Sequence, residues 1–157
     1  MKIVLFQPDI AQNLGAAMRL SACLGVSLEI IEPCGFPLTS KAVRRTAMDY
    51  GVPDQLIRHK NWNAFEKSES TAGRRIVLLT TKSALPITEF EFNPDDTLLF
   101  GQESAGAPEH VHTRSDARIY IPLANGMRSL NLVSSASIAV FEALRQSGGL
   151  PPTIVSE

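Results

Sequence analysis

Short apolar runs rich in β-branched residues alternate along this chain with stretches of helical periodicity. IVLF (3–6), SLEII (27–31), QLIRH (55–59), RIVLLTT (75–81), TLLFG (97–101) and ARIYIPL (117–123) read as strands. Helical patterns run over 13–24, 40–49 and 62–70, and a long one over 129–146 ends the series. Asn13 stands where an N-cap belongs, and Gly25 where a left-handed glycine would stop the first helix. Several strands are apolar throughout rather than alternating, so both faces of their sheet must be covered. The predicted fold is α/β, a mostly parallel sheet with helices on both faces.

A sheet of this kind binds ligands in the crevice beyond the carboxyl ends of its strands. Gly, Pro and polar residues should therefore cluster just after strands. They do so at Thr80-Thr81-Lys82, at Gly101 to Gly106, and from Pro122 to Asn131. Those strand ends predict one site.

The residues around them narrow its chemistry. Asn13-x-Gly15-x-x-x-Arg19 opens the first helix, and a glycine there costs about 1 kcal/mol relative to alanine, which suggests a close approach to its backbone. By spacing alone Arg19, among Ala17, Met18 and Leu20, reads more readily as a solvated helix face than as a functional cation. In LLFGQESAGAPEHV the glycines lie five apart, matching neither a Walker loop nor a dinucleotide fingerprint, and Pro108 fits the first turn of a helix. A glycine-lined pocket for a neutral or zwitterionic group fits better than a phosphate site. The last helix begins with Arg128-Ser129-Leu130-Asn131. Ser129 suits an N-cap and the small residues beyond it suit close packing, but an asparagine inside a helix needs a task for its side chain.

Composition adds bounds. The chain has 157 residues, 44% of them apolar, which is enough for one domain spanning 1–157 with a substantial core, its last seven or so residues forming a tail. MKIVLFQPD is too short in apolar residues for a signal-peptide core, and no run approaches a membrane span, so a cytoplasmic location is expected. Cys23 and Cys34 show no metal spacing, His110 and His112 are expected at the surface, and no metal is expected. The net charge of −1 gives no general attraction to nucleic acid. Any such binding needs a local basic patch.

Taken together in this order and spacing, Asn13-x-Gly15-x-x-x-Arg19, Leu99-Phe100-Gly101-x-Glu103-x-x-Gly106 and Ile121-Pro122 with Ser129-Leu130-Asn131-Leu132 resemble the three signature motifs of the SpoU branch of the SPOUT methyltransferases. The flanking IIEPCGFPL, RR, DY and FEALRQ are similar to compact bacterial members that methylate the wobble nucleotide of tRNA. The resemblance implies a C-terminal deep trefoil knot, an exception to the rarity of knots. It implies S-adenosylmethionine as methyl donor, held by Leu79, Thr80, Gly101, Ile121, Leu123, Ser129 and Leu130, largely through backbone groups. It implies a homodimer with each catalytic pocket completed across the interface, and 2′-O-methylation of cytidine or uridine 34 in the anticodon stem-loop.

By the same resemblance Arg19 acts on the 2′-hydroxyl, while Asn13, Glu103, Arg128 and Asn131 support the loops or the RNA. Because arginine stays protonated, clamping a phosphate or stabilising an alkoxide is easier for it than accepting a proton. Lys41, Arg44 and Arg45, spaced at i, i+3 and i+4, would form a basic RNA patch. The chain departs from the family pattern at Val133-Ser134, where Ser-Asn is usual, and at Phe141, where Tyr is usual. Those departures bear on RNA choice more than on the donor. No appended RNA-binding domain is expected, so the catalytic dimer itself would read the RNA. The alternatives are another RNA such as ribosomal RNA, or an RNA-binding protein of this fold without activity.

Overall fold

The computed structural model describes residues 1–38, 41, 45 and 56–152. The described residues build a six-stranded parallel sheet: β1 (Lys2–Phe6), β2 (Ser27–Ile31), β3 (Ile57–His59), β4 (Ile76–Leu79), β5 (Thr97–Phe100) and β6 (Ala117–Ile119). The strand order is β3-β2-β1-β5-β4-β6, and every described pairing is parallel. Connected helices are α1 (Ala11–Leu24), α2 (Trp62–Ala72), the short α3 (Glu109–Arg114) and α4 (Leu132–Ser147). The chain first winds outward from β1 to β3, then continues on the other side of β1. The crevice between β1 and β5 is therefore the switch point where such sheets hold ligands.

Alternation along the strands divides the core between two layers. Ile3, Leu5, Ile30, Val77 and Leu98 face one way, onto Leu14, Ala17 and Met18 of α1 and Ala136, Ala139, Val140 and Ala143 of α4. Val4, Phe6, Ile31, Leu78 and Leu99 face the other, onto Trp62 and Phe65 of α2 and Val111 of α3. This double coverage explains why β1 is buried at all five positions. The alanines of α4 fill the space where it crosses α1, as small residues must when helices approach closely.

Several boundaries differ from the sequence-based expectation. Helix α1 starts at Ala11, with Ile10 at the cap position and no side-chain cap. Asn13 is thus inside the first turn, and its side chain is engaged elsewhere. Helix α4 is capped by Asn131 rather than Ser129: Asn131 Oδ1 accepts from the backbone of Val133 at 2.8 Å and Ser134 at 3.3 Å. The strand expected over 117–123 stops at Ile119. Tyr120 instead exchanges backbone hydrogen bonds with Leu85 and Ile87 (3.0 and 2.8 Å), and Pro122 lacks the N–H to extend a ladder. Pro108 takes the cap position of α3, one residue ahead of its first turn.

His112, expected at the surface, is buried on α3, and burial with Lys82 nearby moves its pKa below the usual histidine value. His110 is exposed, with its ring edge-on to Phe6 and Trp62. The helix expected over 40–49 falls largely outside the described residues, as does Arg44; Lys41 and Arg45 are exposed helical positions. No helix is long and apolar enough to cross a membrane among the described residues.

Candidate active site

The segments that follow β1, β4, β5 and β6 converge at one end of the sheet. Between them lies an open crevice of about 480 Å³. Leu79 and Thr80 line it where β4 ends, and the hydroxyl of Thr80 accepts from Lys82 N at 3.2 Å, turning the chain away. Thr80 N donates to Ile119 O at 2.9 Å, which ties this wall to the end of β6. Ile121 and Leu123 supply apolar lining beyond β6, and Arg128, Ser129, Leu130 and Asn131 close the crevice ahead of α4.

The third wall follows β5. Gly101 is there because nothing larger fits: a Cβ would sit 2.5 Å from both Ala107 N and Gly106 C. Gln102 and Gly106 then exchange two backbone hydrogen bonds (3.0 and 2.9 Å), folding 102–106 into a tight turn with Gly106 at φ +70°. Backbone is thereby laid directly against the crevice, and main-chain donors and acceptors can meet a ligand without an intervening side chain.

A network of polar side chains holds these walls in register. Asn13 Nδ2 donates to Glu103 Oε1 at 2.9 Å, while Asn13 Oδ1 accepts from Asn131 Nδ2 at 3.2 Å. Glu103 Oε2 accepts from Asp9 N at 3.0 Å, and Ser104 Oγ donates to Asp9. The loops after β1 and β5 and the start of α4 are thus joined through one buried asparagine. Burial, followed by the neighbouring Asp9, raises the Glu103 pKa, whereas the hydrogen bonds from Glu103 and Ser104 lower that of Asp9. Two adjacent carboxyls that share a site are driven apart in this way, Glu103 upward and Asp9 downward.

The structure therefore brings Leu79, Thr80, Gly101, Ile121, Leu123, Ser129 and Leu130 together around one space, with Asn13, Glu103, Arg128 and Asn131 at its rim. Arg19 is exposed on α1 and is not among the residues lining this crevice; nor are Lys41 and Arg45. Sequence reasoning did not single out Asp9, Ile10 or Tyr120. Asp9 had a signal, the polar QPD immediately after β1; Ile10 and Tyr120 carried none, because apolar and aromatic residues at strand ends ordinarily read as core. Among the described residues, no group of three or more His, Cys, Asp or Glu side chains is placed to hold a metal ion.

Comparison with known proteins places this geometry. The SpoU rRNA Methylase family model matches residues 1–141. A protein of Beijerinckia indica subsp. indica named tRNA (cytidine(34)-2'-O)-methyltransferase is 52% identical over 148 residues, covering 94% of this chain and 92% of that one. A solved structure described as giving structural insights into the 2-OH methylation of C/U34 on tRNA superposes with TM-score 0.87 at 37% identity, covering 92% of this chain and 94% of that chain. The fold is shared more distantly by the SpoU methyltransferase AviRb from Streptomyces viridochromogenes in complex with the cofactor AdoMet, with TM-score 0.81 at 21% identity over 93% of this chain and 57% of that chain. The converging loops, the glycine-lined wall and the match over most of the chain agree: this protein belongs to the SpoU rRNA methylase family.

Proposed function

We propose that this protein transfers a methyl group from S-adenosylmethionine to the ribose 2′-oxygen of the wobble nucleotide, cytidine or uridine 34, in the anticodon loop of tRNA. The observation that carries the reading is the backbone-lined crevice at the switch point, in a chain 52% identical to a relative named for that reaction. A zwitterionic nucleoside fits such walls. Apolar Leu79, Ile121, Leu123 and Leu130 suit the faces of an adenine, and exposed peptide groups around Gly101 suit its edge. When bound, the donor supplies an electrophilic methyl on a sulfonium, which needs no metal.

The chain must then hold the 2′-oxygen in line and manage its proton. Arg19 serves this step as a planar, permanently charged donor to the developing alkoxide or to an adjacent phosphate. Its exposed position on α1, outside the crevice of its own chain, suits a homodimer in which each crevice is completed across the interface. Ile138 and Phe141, both exposed large apolar side chains on α4, are the surface such a dimer would cover. Lys41, Arg44 and Arg45 from two subunits would supply the basic patch that a net charge of −1 does not. The family's C-terminal trefoil knot, extended to this chain, makes the segment ahead of α4 part of the donor site, and the enzyme works in the cytoplasm.

The test is transfer of labelled methyl from S-adenosylmethionine to bulk tRNA, and in parallel to ribosomal RNA, of a strain lacking this protein, followed by nuclease mapping. A 2′-O-methyl pyrimidine at position 34 is the expected product. Label in ribosomal RNA with none in tRNA would reassign the substrate.

A further inference from the structure

A second crevice, of about 420 Å³, lies on the other side of the 102–106 turn. Gln102, Ala105 and Gly106 line both spaces, so one thin wall separates the donor crevice from this one. The methyl transfer proposed above assigns it no role.

The lining side chains are carboxamides and rings: Gln7, Asn61, Asn63 and Gln102 with Trp62 and His110. None of the residues lining this crevice is Lys, Arg, Asp or Glu, which argues against a phosphate or a cation as occupant. Carboxamides present donors and acceptors together, the pattern needed for the edge of a nucleobase. Asn61 Oδ1 is committed to capping α2 through Ala64 N at 2.9 Å, so its amide N–H groups are what it can offer. The exposed ring of His110 is propped edge-on against Trp62, with centroids 5.9 Å apart, and against Phe6 at 6.4 Å. A ring fixed by two others beneath it is a platform on which a base can stack.

The backbone of Gln7 adds an independent observation. It sits at φ +46°, the one described non-glycine residue with positive φ. A left-handed conformation costs an ordinary residue roughly 1–2 kcal/mol, and such residues gather where a ligand is held. Gln7 N is spent on Ile31 O at 2.8 Å, and its side-chain amide reaches Glu32 O only at 3.5 Å. The carboxamide is thus held at the crevice without a strong partner of its own.

We infer that this second crevice binds an unstacked nucleobase of the substrate RNA, beside the nucleotide whose ribose faces the donor. The inference rests on the RNA reading above and adds a contact that chooses where the loop sits. A stacked base behind the 102–106 wall fixes the register of the neighbouring ribose, so recognition and positioning come from one turn.

His110→Ala and Asn63→Ala remove exposed side chains that line this crevice but not the donor crevice. With tRNA as substrate, each is expected to raise KM roughly tenfold with kcat retained, leaving the Kd for S-adenosylhomocysteine at the native value. His110→Tyr, which keeps a ring, should restore KM. An anticodon loop made abasic next to the methylated nucleotide should raise KM for the native protein and add nothing further for His110→Ala. Native KM in both alanine variants, or an abasic effect that simply adds to that of His110→Ala, overturns the inference. Failure of the native protein to methylate any tRNA would overturn the RNA reading itself, and that control separates the two results.

Discussion

The side-chain amide of Asn131 donates to Oδ1 of Asn13 at 3.2 Å, joining the cap of α4 to the first turn of α1 beside the crevice. The same Asn131 caps α4 through its Oδ1, so one side chain does two separable jobs. Asn131→Ala removes both. Loss of a cap of this kind costs about 1 kcal/mol, and the released loop should bind S-adenosylhomocysteine more weakly. Asn131→Asp keeps the capping oxygen and favourable charge at the helix start but cannot donate to Asn13. It should retain most of the stability and still lose affinity. Calorimetric titration beside thermal melts distinguishes the two effects, and native affinity in both variants would remove the network from the account of the site.

Gly101→Ala tests the close approach of backbone to the crevice. The added methyl would lie 2.5 Å from atoms of Gly106 and Ala107, which are main chain and cannot rotate away. The 102–106 turn must shift as a unit. Because Gly101 follows the last residue of β5, the sheet should persist, and far-ultraviolet circular dichroism should be close to native. Affinity for S-adenosylhomocysteine is expected to fall at least roughly tenfold, the consequence of losing one or two well-placed polar contacts. Unchanged affinity would mean that this wall does not contact the donor.

Arg19→Lys separates charge from shape. Arg19 is exposed and lines no part of the crevice of its own chain, so folding and donor binding should be preserved. Lysine keeps the positive charge but loses the planar fork that grips an oxyanion or phosphate at two points. Single-turnover methyl transfer is expected to fall about 100-fold, the scale of removing one charge-stabilising donor. Transfer at the native rate would show that the guanidinium has no specific part in the step.

The sequence made some of this structure legible and concealed the rest for identifiable reasons. Continuous apolar runs located β1, β4 and β5 to within two residues because burial on both faces leaves no other pattern. The glycine and polar clusters after those strands marked the crevice for the same reason: the chain can only turn there. Gly25 closes α1 as expected, but the start of α1 was misplaced because the chemistry of Asn13 is not local. Asn13 has the right type and position for a cap, yet its side chain answers Glu103, 90 residues away, and Asn131, 118 residues away. His112 was unreadable because α3 spans six residues, too few for a periodicity to reveal its inner face. Gln7 gave no sign at all, since a left-handed glutamine looks like any other glutamine in a sequence.

Acid should expose the contribution of Glu142. Hydrogen bonds from Arg145 and Gln146 lower its pKa to about 2. A carboxylate with a depressed folded pKa adds stability above its unfolded pKa, and that stability is lost as pH falls through the folded value. The relevant window therefore runs from about 4.5 down to about 2. Glu142 also positions Gln146, whose amide bonds both Phe90 O at 3.0 Å and Phe92 N at 2.9 Å, so the loop ahead of β5 depends on it. Glu142→Gln should melt below the native protein at neutral pH, with the difference shrinking as pH is lowered through that window. A constant difference across it would assign the effect to packing rather than charge.

The strongest stability effect is expected far from the crevice, at the opposite end of the sheet. Lys2 Nζ lies 3.0 Å from Glu29 and 2.5 Å from Glu69, with all three side chains at most 6% exposed. Glu29 is also bonded to His59 at 2.7 Å, and Glu69 accepts from the Thr97 hydroxyl. Each carboxylate is thus satisfied only partly without the lysine. Lys2→Met preserves volume and apolar stem but leaves two buried carboxylates facing each other without their shared cation. Breaking one partner of a buried ionic group costs about 3–5 kcal/mol, far more than the intact group contributes over an apolar replacement. Combining Lys2→Met with Glu69→Leu removes one of those stranded charges, and Glu29 keeps His59, so the double variant should be more stable than Lys2→Met alone. Urea unfolding with unchanged m-values would measure this, while the Kd for S-adenosylhomocysteine stays native under folding conditions. A double variant no more stable than the single one would show that Glu69 is not held in place by Lys2.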